Sequence, residues 1–505
     1  MITNCRLNWL GLTFSLLLAI ASAAAAQEQS AKVQARQNAP KTGVLALLPE
    51  DSVTEQSLAL GDGRQLAYRA TAGTLDLFDQ NGERSAELYY TAYVLKDAAA
   101  ERPVTFVFNG GPGAASAFLH LGLVGPKVLD FGPSGHDGAR ARLVSNPRSW
   151  LEFTDLVLID PVGTGWSRAA RRQSSEKFWG VDRDAESLAK AVALYIAENG
   201  RSGSPKYLLG ESYGGFRAVK LARALQEDQG IIINGIVMVS PLLEGPLMFR
   251  ADRFALGAAL RLPSLAAAEL ERQGALTPDA IAEAERFALT DYLTTLAGPP
   301  PQGEAGRTFY GRVAELTGLP LQVIERSRGF IRDTYAKQAR DGAPVVVSAY
   351  DAAYAIPDPY PESRSERGPD PVLDGFVRAY GGAFAAYARD ELGFKTEMTY
   401  KLLAGEVSGR WEWGHERSLA QASVDDDLRE LLALNRSLRV LVAHGTSDLV
   451  TPYSVSRYVI DHLPAGLAER VELKLYRGGH MAYTIPETRI AMTADAKGFY
   501  GAATQ

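Results

Sequence analysis

Cysteine is almost missing from this 505-residue chain: the one present, Cys5, lies within the first few residues. No disulfide framework can therefore hold the fold together. Histidine is scarce, six in all and scattered, with no H-E-x-x-H pair, so the sequence gives no support for a metal site and no cofactor is expected. Surplus positive charge is missing as well. A net charge of -6 and a pI near 5.7 leave no electrostatic footprint for DNA or RNA. The basic cluster Arg168-Ala169-Ala170-Arg171-Arg172 reads as a solvated loop. Long apolar runs are absent except at the start, where Arg6 precedes "LNWLGLTFSLLLAIASA" and Ala24-Ala25-Ala26 has the form of an A-x-A cleavage site. This predicts a signal peptide over residues 1–26 and a periplasmic or secreted protein without a membrane partner after cleavage. The rival is a retained anchor, disfavoured by the small-residue end and by the polar "QEQSAKVQARQ" that follows. Internal repeats and long low-complexity tracts are also lacking.

What remains is globular: 46% hydrophobic and 22% charged residues. The length exceeds what one core usually holds, so a core with a large insertion is expected. "QLAYRATAGTLDLFD", "AELYYTAYVL" and "PVTFVFN" have strand character. From "DLVLID" onward strands alternate with helix-periodic stretches, "ESLAKAVALYIAEN" and "FRAVKLARALQED" among them, and "GIIINGIVMVS" reads as a further strand. The alternation predicts an α/β fold, a mostly parallel sheet with helices on both faces. It breaks off into a helix-rich region over about 249–425 and resumes with "LRVLVAHG" and "RVELKLY". The sheet is thus expected from residues 27–248 and 426–505, with a helical lid inserted between them.

Gly210-Glu211-Ser212-Tyr213-Gly214 fits G-x-S-x-G, follows a predicted strand and opens a predicted helix, the setting of a nucleophile elbow. A serine hydroxyl needs a base and an orienting acid to attack near neutral pH. His480 in "RGGHMAYTIP" and Asp448 in "HGTSDLVTP" each follow a strand, in the order Ser, Asp, His. "FVFNGGPGAAS" offers backbone N–H groups for an oxyanion, with the N–H of Tyr213 as the second donor. Asp160 reads as a loop-organising residue, His444 and His462 as structural, and His120 as a further candidate to face the cleft.

These stretches together resemble the serine carboxypeptidase family (peptidase family S10) of the α/β-hydrolase fold. The resemblance rests on "NGGPGAAS" (109–116), "NPRSW" (146–150), "IDPVGTGWS" (159–167), "GESYGG" (210–215), "HGTSDLVTP" (444–452) and "GGHM" (478–481). The longer stretches look most like a bacterial branch. The resemblance implies Ser212 as nucleophile, His480 as base and then acid, Asp448 as orienting residue, and Gly111 with Tyr213 as oxyanion hole. It also implies a clamp of Asn109, Gly110 and Glu211 for the free carboxylate of a peptide C-terminus. Such a clamp works only with Glu211 protonated, since two carboxylates at hydrogen-bonding distance repel.

Two positions depart from the family. Leu123 stands where the family carries a glutamate that partners the elbow glutamate, and Ala114 replaces its cysteine. An esterase or acyltransferase using the same triad therefore stays open, as does a non-catalytic binding protein on the same core. Within the insertion, "SGRWEWGHE" is the most aromatic loop, so Trp411 and Trp413 are expected either to line a pocket or to pin the insertion to the core.

Overall fold

Val104–Phe108, Asp155–Ile159 and Gly235–Val239 bury every residue, the mark of strands covered on both faces. The computed structural model describes residues 41–99, 101–132, 135–338, 344–363 and 367–502; the expected signal peptide lies outside them. Its main sheet has ten strands: β1 (Ser52–Ala59), β2 (Gln65–Phe78), β3 (Arg84–Leu95), β4 (Val104–Phe108), β5 (Asp155–Ile159), β6 (Arg168–Ala169), β7 (Lys206–Glu211), β8 (Gly235–Val239), β9 (Arg439–Gly445) and β10 (Val471–Tyr476). Their spatial order is β1-β2-β3-β5-β4-β7-β8-β9-β10, with the short β6 beside β3. β5, β4, β7, β8, β9 and β10 run parallel. The first three strands form an antiparallel extension, joined to β5 through β3. This is an α/β-hydrolase sheet assembled from both ends of the chain.

Strand parity decides which side chains share a core. Phe106, Phe108, Val157, Ile159, Leu208, Met238 and Val442 point to one face, where they meet helices α1 (Val181–Glu198) and α2 (Tyr213–Gln229). Val107, Leu156, Leu158, Leu209, Val237 and Leu441 point to the other, under the C-terminal helix 486–502. The outer edges are wetter: β1 alternates in burial and β10 is buried only at its ends.

The inserted region is not one body. Residues 255–335 pack around their own apolar cluster, which includes Leu262, Leu265, Tyr292, Val313 and Ile324. The helix Ala379–Asp390 joins the sheet's second core instead, Phe384 lying 6.1 Å from Tyr89 and 5.8 Å from Trp166. The stretch that follows threads back across the core, making bridges from Lys401 to Gly165, Leu403 to Ala114 and Glu412 to Gly180. No helix among the described residues is long and apolar enough to cross a membrane.

Candidate active site

Ser212 sits between the end of β7 and the first turn of α2 with φ 60° and ψ -125°. That conformation is strained for any residue with a Cβ, and such strain persists only where the surroundings hold it. They do so here. Ser212 N–H donates to the Val239 carbonyl at 2.9 Å, and its own carbonyl accepts from Gly215 and Leu242. The glycines follow from crowding: a Cβ on Gly214 would lie 2.6 Å from the Phe108 carbonyl oxygen, and one on Gly110 would lie 2.5 Å from Tyr213 N. The loop after β4 therefore crosses directly over the elbow, bringing Gly111 to the N-terminus of α2. The positive end of that helix and its first N–H groups favour a developing oxyanion.

His480 and Asp448 arrive on the loops after β10 and β9. His480 Nδ1 pairs with Asp448 Oδ2 at 2.8 Å, leaving Nε2 as the nitrogen available to Ser212. The other Asp448 oxygen accepts from the N–H groups of Val450 and Thr451, and Thr451 Oγ1 donates to Oδ2 at 2.7 Å. Burial alone would raise the Asp448 pKa, yet the His480 charge, its hydrogen bond and these donors hold it below the usual carboxylate range. Burial likewise opposes charge on His480, but Asp448 outweighs it and the imidazole titrates above its ordinary value. Ser212 and His480 line one cleft of about 340 Å³, with Asp448 buried behind the imidazole.

Glu211, 3% exposed, faces the same cleft. Asn109 Nδ2 donates to Glu211 Oε2, and the Tyr483 hydroxyl donates to both carboxyl oxygens at 3.0 and 2.9 Å. The Asn109 amide is oriented by its Oδ1, which accepts from Leu119 N–H at 3.1 Å. Burial pushes the Glu211 carboxyl up to about 7, even though His480, Tyr483 and Asn109 pull it down. Among the described residues lining the cleft none is Lys or Arg. A neutral Glu211 is thus a hydrogen-bond donor in a cleft whose described lining offers no Lys or Arg to hold a carboxylate.

Sequence reasoning did not find what supports this pair. Arg217, on α2 and 1% exposed, donates from Nε to Asp184 Oδ2 at 2.6 Å and from Nη1 to the Asn109 carbonyl. Its guanidinium also lies 5.0 Å from the Tyr213 ring centroid. Arg217→Met would leave Asp184 buried and unpaired, costing about 3–5 kcal/mol. We expect lower stability in denaturant unfolding and a loosened Asn109 loop; unchanged stability would contradict this role. Tyr350, from the insertion, was also missed. Its ring meets His480 edge-on at 5.1 Å and its carbonyl accepts the His480 backbone N–H at 2.6 Å.

Every predicted site residue except Asp448 lines the cleft directly. The lesser candidates go elsewhere. His120 does not face the cleft: it is buried against β3, with Nε2 2.7 Å from the Tyr93 hydroxyl, and burial lowers its pKa to about 3. His444 pairs with Ser456, His462 stacks on Tyr458, and Asp160 accepts from Ser116 N–H and the Tyr400 hydroxyl. Trp411 and Trp413 meet the Tyr213 ring edge-on at 5.4 and 5.7 Å, pinning the insertion to the elbow helix without lining the cleft. The cleft's apolar wall comes instead from residues such as Phe118, Leu242, Phe249, Leu373 and Leu419.

Comparison with known proteins bears on this arrangement. The family model for serine carboxypeptidases (peptidase family S10) matches residues 65–245, which contain the glycine loop and the elbow. A probable serine carboxypeptidase of Arthroderma benhamiae is 26% identical over 174 residues, covering 31% of this chain and 30% of that protein. Serine carboxypeptidase-like 29 of Arabidopsis thaliana is 26% identical over 171 residues, covering 33% and 34%. The matches thus span about a third of the length of these relatives. Among solved structures, a soluble variant of monoglyceride lipase from Saccharomyces cerevisiae aligns with 85% of this chain and 94% of its own. It does so at 12% identity and a TM-score of 0.38, a distance at which no functional argument follows.

Proposed function

We propose that the chain, which resembles serine carboxypeptidases over residues 65–245, is a serine-type carboxypeptidase releasing C-terminal residues from peptides. Ser212 Oγ attacks the carbonyl carbon of the terminal peptide bond while His480 Nε2 takes its proton. The N–H groups of Gly111 and Tyr213 receive the oxyanion. The proton then passes from His480 to the leaving amine, the C–N bond breaks, and an acyl-enzyme remains on Ser212. Water, deprotonated by His480, hydrolyses that ester. Asp448 keeps the imidazole in the required tautomer and stabilises its charged form.

The observation that carries the reading is Glu211, a buried carboxyl titrating near 7 beside the nucleophile in a cleft whose described lining holds no Lys or Arg. Neutral, it donates a hydrogen bond to the substrate's terminal carboxylate, alongside Asn109 and the Gly110 N–H. The apolar wall favours substrates with apolar side chains near the scissile bond. The N-terminal apolar segment supports export to the periplasm or beyond, and the longer motifs support a place in a bacterial branch of the family. An esterase or acyltransferase would use the same triad, but nothing in that chemistry calls for Glu211.

The test uses purified protein and peptides that differ only in a free or amidated C-terminus. The expected result is loss of one residue from the free form, read by mass spectrometry, with the amide spared. Cleavage of simple esters without trimming of either peptide would overturn the peptidase reading.

A further inference from the structure

With Leu123 at the family's partner position, wholly buried and apolar, Glu211 has no carboxyl partner there. A phenol meets it instead. Tyr483 lies on the turn just after His480, itself wholly buried, and its hydroxyl donates to both oxygens of Glu211. Its ring occupies the space a side chain at position 122 would need, immediately beside Leu123. Gly122 is therefore required for the phenol to reach the carboxyl. Arg489 holds the tyrosine's backbone from the C-terminal helix, Nη1 donating to the Tyr483 carbonyl at 3.4 Å.

We propose that Tyr483 is a positioning residue for terminal-carboxylate recognition, its phenol taking over from the missing glutamate and turning the Glu211 carboxyl toward the substrate. The proposal rests on the carboxypeptidase reading of the site. Asn109 and Tyr483 both donate to Oε2, whereas Oε1 receives only the other arm of the Tyr483 O–H, so the acid proton is better placed on Oε1, from which it can be donated to a substrate carboxylate. A phenol differs from a carboxyl partner in one respect that can be measured. Burial, then the neighbouring Glu211, raise the Tyr483 pKa well above its ordinary value, so it stays neutral and adds no second acid titration. A donated O–H also favours the ionised form of Glu211, so the phenol brings the alkaline limit of recognition down.

The other groups facing Glu211 are few. His480 and Asp448 approach from the catalytic loops, Tyr350 from the insertion and Tyr380 from the helix Ala379–Asp390. Arg489 sits behind Tyr380 and Tyr483, and Asp370 acts on His480 from beyond the Tyr350 loop. Tyr483→Phe changes none of these charges, so its effect isolates the hydroxyl.

The readout is the ratio of kcat/KM for a peptide with a free C-terminus to that for a neutral ester, followed across pH. In Tyr483→Phe we expect the ratio at pH 5.5 to fall about 5- to 10-fold through KM. We also expect its alkaline limb to move up by about 0.5–1 pH unit. In a Glu211→Gln background the same change should have no further effect on the ratio, because Tyr483 acts through Glu211. A parallel fall of peptide and ester turnover with an unmoved limb would reduce Tyr483 to a packing role and overturn the proposal. So would an unchanged ratio in a wild-type background that itself prefers free carboxylates. If wild-type protein shows no such preference, the carboxypeptidase reading fails first and this assignment with it.

Discussion

Ser212→Ala should lower kcat on peptides and esters alike by about 10⁴–10⁶-fold, the scale on which losing a triad nucleophile is felt. The fold should survive. The hydroxyl is not among the hydrogen bonds that hold the elbow; those run through the Ser212 backbone N–H and carbonyl, and alanine keeps both. Circular dichroism and thermal unfolding should therefore be close to wild type while labelling by a serine-directed fluorophosphonate disappears. Residual turnover would come from the oxyanion donors and substrate positioning, which the substitution leaves in place. A variant that keeps more than a few per cent of wild-type kcat would remove Ser212 from the mechanism, and with it the covalent route.

Glu211→Gln should act on pH dependence more than on the rate in mild acid. In the proposed reading, recognition of a terminal carboxylate requires neutral Glu211, and burial places its titration near 7. The sign follows directly. Below that value the carboxyl donates a hydrogen bond; above it the carboxylate repels the substrate, and the peptide-to-ester ratio should fall about tenfold per pH unit. Glutamine carries a donor at every pH, so the variant's ratio should be flat, leaving it about 10- to 30-fold above wild type by pH 8.5. Ester turnover answers to His480 instead. The base must be neutral, its pKa is raised, and ester rates should climb as pH rises through that value. Kinetic profiles with matched peptide and ester substrates check both limbs, and a variant that keeps the wild-type slope would place the alkaline limb on another group.

How much of this was legible in the chain depended on the range of the interaction. The elbow, the glycine loop and the order Ser, Asp, His were readable because each motif is contiguous in sequence, although the crowding that requires Gly110 and Gly214 comes from the two motifs crossing each other. The fully buried strands were readable for the same reason. "GIIINGIVMVS" shows the limit: its first isoleucines look like strand, yet Gly230 ends α2 in the left-handed region and Ile232 is half exposed, so β8 begins only at Gly235. Partnerships across the fold were hidden. Arg217 reads as one more basic residue on an amphipathic helix, and only the packing of α1 on α2 sets it against Asp184 and the Asn109 carbonyl. Tyr483 lies three residues from His480, yet nothing local shows that Gly122 clears its path to Glu211. Which core each inserted helix joins was hidden for a related reason. Phe384 and Tyr387 read as insertion helix, but Phe384 packs on Tyr89 of β3 and on Trp166 in the turn before β6, and the Tyr387 hydroxyl accepts from that of Tyr93 on β3.

The central claim is that a neutral, buried Glu211 reads the terminal carboxylate. It is tested most directly by measuring kcat/KM from pH 5 to 9 for one peptide with a free C-terminus and for its C-terminal amide. The account predicts a large preference for the free acid in mild acid, shrinking about tenfold per pH unit above about 7. A preference for the free acid that stays constant across that range, or none at any pH, would contradict it.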